Sequence, residues 1–567
     1  MWGMTPIDYT IVGAYLLGLL IAGAVLARRA GKGTEAYFLG ENRMPWWALG
    51  ASGMSSNLDA AGTMTIITLI YVFGLHGFFI EMRGGVVLPI AVFLAFMGKW
   101  HQRSAVMTTA EWMEFRFGAG AAGKAARGLA ALTYLVITIG MVVFFLAAAG
   151  KFVSAFLPFD EQTCAIAMAT VALLYTMASG IYGVVWTDVI QAVLIAGAAI
   201  YVAVQGWSLV NPELLAAWPG SQWNTAIPVF YDKALGAYEW FGIFLLAWVG
   251  KGLLEGLGGS GGSAYMAQRY YAAADEVSCR KLSMLWTVLF AFRWPMVLGF
   301  TLIAIHLGIG TEDAETILPQ VLGSEFFPPG MRGLVIAAIL AASMSTFDST
   351  INAGASYLVK DVLCLLRPST SDRAQMLASY LASALIVVVG LVLALSVTGS
   401  ILEVWVIIVI QLFPAFLVPF ALRWFWGRFN GFGFSVGIVF GFAASTTLWI
   451  FGERLGWNEV VTLLSIIGVS LLGCLLGTSV TTPTPDEVKR KFYDQVHPFG
   501  WWPKDWKVPH REEHRRDGVR LVVAVIWQTV TFLLPMLLVL RQYAVVGGLL
   551  VLWLALSTWM LLNLRKV

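Results

Sequence analysis

Apolar runs long enough to cross a bilayer dominate this chain. They lie at about 11–27, 45–73, 76–98, 128–157, 162–180, 184–207, 239–266, 282–308, 330–359, 375–398, 401–424, 431–452, 459–479, 519–541 and 543–563. Each approaches or exceeds the ~20 residues that a spanning helix needs. Only 12% of residues are charged, and the mean hydropathy is +0.77. A soluble domain carries about 25% charged residues. The pattern predicts an all-α polytopic membrane protein of about fifteen transmembrane helices.

The loops give a direction. Counted alternately, the segments 99–127, 267–281, 360–374, 424–430 and 480–518 are rich in Lys and Arg, whereas 208–238 and 309–329 are poor in them. By the positive-inside rule this predicts a multi-pass protein of the cytoplasmic (inner) cell membrane, with the N-terminus outside and the C-terminus cytoplasmic. The net charge of +3 suggests no nucleic-acid partner, and no obligate protein partner is inferred. The four cysteines are scattered without metal-ligand or CxxC spacing, so no disulfide is expected. The first run follows Asp8 and precedes Arg28 and Arg29, which is not the order of a cleavable signal peptide. The long polar stretch 480–518 reads as a cytoplasmic linker with its aromatics against the headgroups. His510 and His514, four apart, lack a partner pair for a metal.

Three spans carry unusual polarity. In 337–360, Ala342, Ser345, Asp348, Ser349 and Asn352 share one helical face, with Thr346 at its edge. A carboxylate at the centre of a membrane helix costs roughly 2.5–3.5 kcal/mol. Hydroxyls around it are oxygen-only ligands, which suit a hard cation such as Na+. The same spacing of small residues would also serve close helix packing. The span 45–73 holds Gly50, Gly53 and Gly62 with Ser55, Ser56, Asn57 and Asp59, so a break that frees backbone carbonyls is expected. The span 239–266 contains GLGGSGG, too glycine-rich for an uninterrupted helix at ~1 kcal/mol per Gly. It lacks a preceding strand and the lysine of a phosphate loop. Lys251 and Glu255 stand four apart in it and can pair. Two broken spans five helices apart are what an inverted repeat produces. An intramembrane hydrolase would need a paired nucleophile and base, and His76 and His306 have no such partners, so no enzyme is expected.

YFLGENRMPWWALGAS (37–52), GVVWTDVIQ (183–191), AQR (267–269) and LAASMSTFDSTINAGASYLVKD (340–361) together resemble the sodium:solute symporter family, over about 1–480. That family includes sodium–glucose, sodium–proline and sodium–sialic acid cotransporters. The resemblance implies the leucine-transporter fold. A peripheral N-terminal helix and cytoplasmic loop (1–44) precede two inverted five-helix repeats (45–207 and 208–424). Additional transmembrane helices (425–480), the polar cytoplasmic segment (481–518) and a C-terminal helical hairpin (519–567) follow. It implies a main Na+ site from carbonyls near Ser55 and Leu58, the carbonyl of Ala342 and the hydroxyls of Ser345 and Thr346. Some relatives hold a second cation further along, which here corresponds to Asp188, Ser345, Asp348 and Ser349; a helix cap is the other reading of Asp188. Two carboxylates near one spot call for a cation or a proton between them.

Solute-binding candidates are Asn57, Asp59, Glu81, Arg83, Lys251, Glu255, Arg293 and Gln411. Arginine is a usual fork for a carboxylate, so Arg83 and Arg293 could mark an acidic solute or serve as internal salt bridges. The aromatic that closes the inner side of the pocket in sugar relatives finds no match in GLGGSG. The expected function is Na+-coupled symport that imports a small polar organic solute by alternating access, a sugar or sugar acid before an amino acid. The alternatives are a proton-coupled transporter on the same scaffold or a membrane solute sensor.

Overall fold

The structure is a computed structural model and describes residues 4–30, 44–106, 108–218, 227–259, 264–310, 314–367, 369–397 and 399–564. The expected loop residues Lys32, Arg43, Glu312 and Asp313, and the glycines of 260–263, lie outside them, as do 37–43 of the first motif and the C-terminal Arg565 and Lys566.

Among the described residues the chain is helical and forms no strand. Eleven helices among the described residues are long and apolar enough to span, or up to thirteen if each of two bent pairs is one span. The first bent pair is α2 (Trp46–Ser55) and α3 (Ala60–Phe73), which meet at 61°. The expected break in 45–73 is therefore present. The second pair is Ile401–Leu412 and Pro414–Phe425, bent by 41° where Pro414 has no amide hydrogen to give.

Two of the expected runs take another form. The run 76–98 is a series of short pieces: His76–Ile80, a 3-10 turn Glu81–Arg83, Pro89–Val92 and a π turn Phe93–Met97. The runs 162–180 and 184–207 both fall within one helical stretch, Glu161–Leu209. The Tyr175 and Thr187 hydroxyls nevertheless hydrogen-bond across twelve residues. A straight helix would separate their Cα atoms by about 18 Å, beyond the reach of the two side chains, so the stretch is bent between them.

The peripheral helix α1 (Pro6–Ala30) packs against Glu161–Leu209 and against Met331–Ser356. Asp8 fixes its start. The buried carboxylate accepts from Gly330 N and Gly333 N, each at 2.8 Å, at the N-terminus of Met331–Ser356. An anion there satisfies amides that the helix itself leaves free. Small residues set the close crossings. A Cβ on Gly206 would lie 2.6 Å from Gly299 Cα, and one on Gly299 would lie 2.5 Å from Val202 O. Glycine lets backbones approach to this distance where no hydrophobic effect drives them together.

The segment after 480 departs from the expected linker. It forms a helix, Asp486–Val496, that buries Phe492, Tyr493 and Val496. Trp502 is buried as well, whereas Trp501 is exposed. These rings are held in the protein rather than against headgroups because they enclose a buried cation. The Arg116 guanidinium lies 5.2 Å from the Phe492 ring and 4.8 Å from the Trp502 ring. It donates to the carbonyls of Arg423 and Trp426 at 2.9 and 3.1 Å. His510 meets His497 in a ring stack at 3.7 Å, and Glu513 beside them is bonded to Lys99 and Arg103 at 2.7 and 2.8 Å. The last two long helices, Arg511–Val539 and Tyr543–Leu562, form a hairpin that begins in the polar segment, eight residues before the apolar run.

Gly299→Ala is expected to lower stability by about 1–3 kcal/mol, because backbone must move to admit the methyl group. Gly468→Ala, with nothing within 4 Å of the new Cβ, is expected to be neutral or to stabilise by up to about 1 kcal/mol. Thermal unfolding of the two variants in detergent checks this; equal melting temperatures would contradict the close crossing.

Candidate cation and solute site

The site is built around the interruption between α2 and α3. Ser55 ends α2, and Asp59 begins α3 in extended conformation, accepting from Gly62 N at 2.6 Å. The carbonyls left free between them are each met from elsewhere. Ser56 O accepts from Tyr265 OH at 2.7 Å, Asn57 O from Arg293 at 3.1 Å and Leu58 O from the Thr346 hydroxyl at 3.3 Å. Ala60 N donates to Ser343 Oγ at 2.9 Å. Membrane interiors offer no water for such groups, so other helices must supply the partners.

Two oxygen clusters lie along the helix Met331–Ser356. In the first, Thr346 Oγ1 is 3.3 Å from Leu58 O and 3.0 Å from Ala342 O. The Ser55 carbonyl is held only loosely, by Leu58 N at 3.4 Å. Carbonyls and a hydroxyl without sulfur or imidazole make a donor set that suits a hard monovalent cation. Ser345, expected in this set, points its hydroxyl to Asp188 Oδ1 at 2.5 Å.

The second cluster surrounds Asp188. Its Oδ2 accepts from Ser52 at 2.5 Å and lies 3.4 Å from Ser56 Oγ. Asp188 sits inside Glu161–Leu209 and does not cap a helix, because its carboxylate is turned to hydroxyls of other helices. The Arg269 guanidinium approaches Asp188 to 3.7 Å and lies within 2.6–3.0 Å of the Ser52, Ser56 and Ser349 hydroxyls. Ser345 and Ser349 thus lie in the hydroxyl cluster around Asp188 and Arg269. Asp348 does not join them: it accepts from Thr176, and its Oδ2 is buried without a hydrogen-bond partner among the described residues.

Beside the interruption lies a narrow cavity of about 50 Å³. Asn57, Asp59, Glu81 and Arg293 line it, with Thr346, Tyr265, Trp405 and Phe144 among the other walls. Four of the solute candidates thus come together. The other four do not. Arg83 is bonded to Glu459 at 2.6 Å and to Tyr238 OH at 3.0 Å, an internal salt bridge with an acid that sequence spacing did not suggest. Lys251 and Glu255 pair at 2.7 Å, with the ammonium 4.9 Å from the Phe413 ring. Gln411 lines a separate apolar cavity with Leu129, Val136 and Trp449.

Several site residues were missed. Arg269 stood within the AQR motif, but nothing local tied it to Asp188. Ser52, Ser56 and Thr176 gave only the general signal of hydroxyls in apolar spans. Tyr265, an aromatic on the cavity wall, lies just beyond the glycine stretch GLGGSG, on the helix Ala264–Tyr271.

The profile of the sodium:solute symporter family matches residues 37–441. The chain is 25% identical to sodium/glucose cotransporter 4 of Danio rerio over 78% of this chain and 72% of that protein. It is 23% identical to the sodium/sialic acid symporter SiaT of Proteus mirabilis over 70% and 80%. The sodium/glucose cotransporter of Vibrio parahaemolyticus is 25% identical over 77% and 84%. Among solved structures, a Na+-coupled sialic acid symporter in a substrate-bound outward-open state superposes with a TM-score of 0.69. That match covers 86% of this chain and 99% of the other at 21% identity, which speaks for the fold. With its broken first span and the oxygen-lined helix beside it, the chain belongs to the sodium:solute symporter family, whose members are sodium-coupled membrane transporters and not enzymes.

Proposed function

We propose that this protein imports a small polar organic solute, a sugar or sugar acid, together with Na+ by alternating access. One observation carries the reading. Thr346 contributes both to the oxygen cluster with Leu58 and Ala342 and to the wall of the cavity lined by Asn57, Asp59, Glu81 and Arg293. A cation and a solute bound there would share a residue, so each would sense the other. The sugar and sialic acid cotransporters among the relatives support the solute class.

In this reading Na+ is held by Ser55, Leu58, Ala342 and Thr346, with Ser345 turning in from Asp188. It ties the interruption to the helix Met331–Ser356 and favours the state open to solute. Movement of the repeats 45–207 and 208–424 against each other then exposes the site to the other side. Tyr265 and Arg269 close the path in the present arrangement by bonding the interruption and the serines around it. Arg269 already balances Asp188, so a second cation at Asp188 would have to displace the guanidinium. The coupling is reciprocal: if Na+ tightens solute binding by some factor, solute tightens Na+ by the same factor.

Asp348 supports a second reading. A buried carboxylate with an oxygen left unpartnered among the described residues could carry a proton through the cycle. Thermal unfolding of the purified protein in Na+ against K+, at matched ionic strength and with a panel of sugars and sugar acids, separates the two. A ligand at 100 times its dissociation constant adds roughly 2.7 kcal/mol. A Na+-specific gain enlarged by one solute is expected; no Na+ effect, with a gain on acidification, would favour proton coupling instead.

Thr346→Ala is expected to weaken the apparent Na+ affinity by about tenfold, a loss of ~1.4 kcal/mol, with little change in the melting temperature in K+. Thr346→Ser should retain most of the affinity. Unchanged Na+ dependence in Thr346→Ala would remove it from the site. Arg269→Gln is expected to destabilise by about 3–5 kcal/mol because it leaves Asp188 buried without a counter-charge. Asp188→Asn in the same chain should restore part of that loss, as a double-mutant cycle would show; purely additive effects would mean that the two charges do not interact.

A further inference from the structure

We propose that Asp59 sets the charge selectivity of the cavity, which takes a solute bearing hydroxyl or amine groups and rejects one bearing a carboxylate. This rests on the reading of the cavity as the solute site and narrows it.

A helix interrupted inside a membrane offers its free amides to an anion, and α3, fourteen residues long, begins at the cavity wall. Here those amides are already engaged. Asp59 places its own carboxylate over the start of α3, accepting from Gly62 N at 2.6 Å. Ala60 N is taken by Ser343 Oγ at 2.9 Å. A solute carboxylate would find the position filled by a like charge.

The other feature that would attract an anion is Arg293, whose guanidinium donates to Asn57 O at 3.1 Å and whose Nε has no hydrogen-bond partner among the described residues. It also presses against Gly62, where a Cβ would lie 2.3 Å from Nη2 and 3.5 Å from Asp59 Oδ1. Arg293 and Asp59 thus flank one glycine, and Glu81 shares the electrostatic field of both. Two acidic side chains and one basic side chain thus line the cavity, so acids outnumber bases on its wall.

What the cavity does offer is an acceptor. Glu81 is 4% exposed, lines the cavity, and its Oε2 has no hydrogen-bond partner among the described residues. A hydroxyl or an ammonium group can donate to it, and a carboxylate cannot. Trp405 and Phe144, stacked at 5.1 Å, provide an apolar wall for the carbon face of a ring. Like charges about 6 Å apart in such a site would weaken carboxylate binding about tenfold to a hundredfold.

The test uses the purified full-length chain in Na+, with glucose, myo-inositol, glucosamine, glucuronate, N-acetylneuraminate and proline as probes. Thermal stabilisation is titrated, and uptake or its inhibition is measured in proteoliposomes. Na+-dependent stabilisation is expected from probes without a carboxylate, with glucuronate at least about tenfold weaker than glucose. Asp59→Asn keeps a good cap for α3 and removes the charge. It is expected to narrow the ratio of glucose to glucuronate affinity by about tenfold. Glucuronate, N-acetylneuraminate or proline binding as tightly as the neutral probes in the unaltered protein would overturn the charge filter alone. An unchanged ratio in a folded Asp59→Asn would do the same. A response to Na+ with none to any probe would overturn the solute reading of the preceding section and the filter with it.

Discussion

A helix that stops inside a bilayer leaves carbonyls and amides that lipid cannot satisfy, and the interruption at 56–59 organises this protein through that demand. Each free group is met from another element. Tyr265 comes from the helix after the glycine stretch and Arg293 from the span Glu276–His306; Thr346 and Ser343 come from Met331–Ser356. An unmet buried group costs about 1–3 kcal/mol. Four such bonds therefore fix the mutual positions of three helices more firmly than apolar packing would. The cavity and both oxygen clusters are by-products of this arrangement, since the donors that close the carbonyls are the residues that line the space.

Buried charge elsewhere follows the same logic of provided partners. Asp8 is held by two amides of a neighbouring helix start, Arg83 by Glu459 and a tyrosine hydroxyl, and Arg116 by carbonyls and aromatic faces. None of these pairs touches the cavity. They tie the first helix, the irregular stretch after His76 and the polar segment after 480 to the bundle. Replacing one partner leaves the other stranded, which is why such positions are sensitive even when remote from the solute.

Much of this was legible in the sequence because it follows from local composition. The spans followed from apolar length, the break from glycine with Asn57 and Asp59, and the polar stripe from the three-and-four spacing of Ala342, Ser345 and Ser349. The resemblance carried by the four motifs supplied the fold and the coupling ion. What stayed hidden were choices between partners far apart in the chain. Arg83 has Glu81 two residues away in sequence, yet it pairs with Glu459, 376 residues away. Asp348 shares a helical face with Ser345, yet it turned to Thr176 while Ser345 reached Asp188. The irregular backbone of 76–98 was hidden for another reason: an unbroken apolar run reports burial, not regularity. The polar segment misled because tryptophans and charges suggest an interface, and only the fold reveals that Arg116 needs them as walls.

The carbonyls at the interruption also bring the solvent into the motion. A hydrogen bond weakens steeply once its geometry is lost, so a helix that swings away from 56–58 releases its carbonyl abruptly. In this interior only water can take the vacated place. Displacement of the helix and entry of water would then go together, because an opened interruption without water would hold naked carbonyls. Any opening at the interruption would then be set by the arrival of a few water molecules as much as by the swing of a helix.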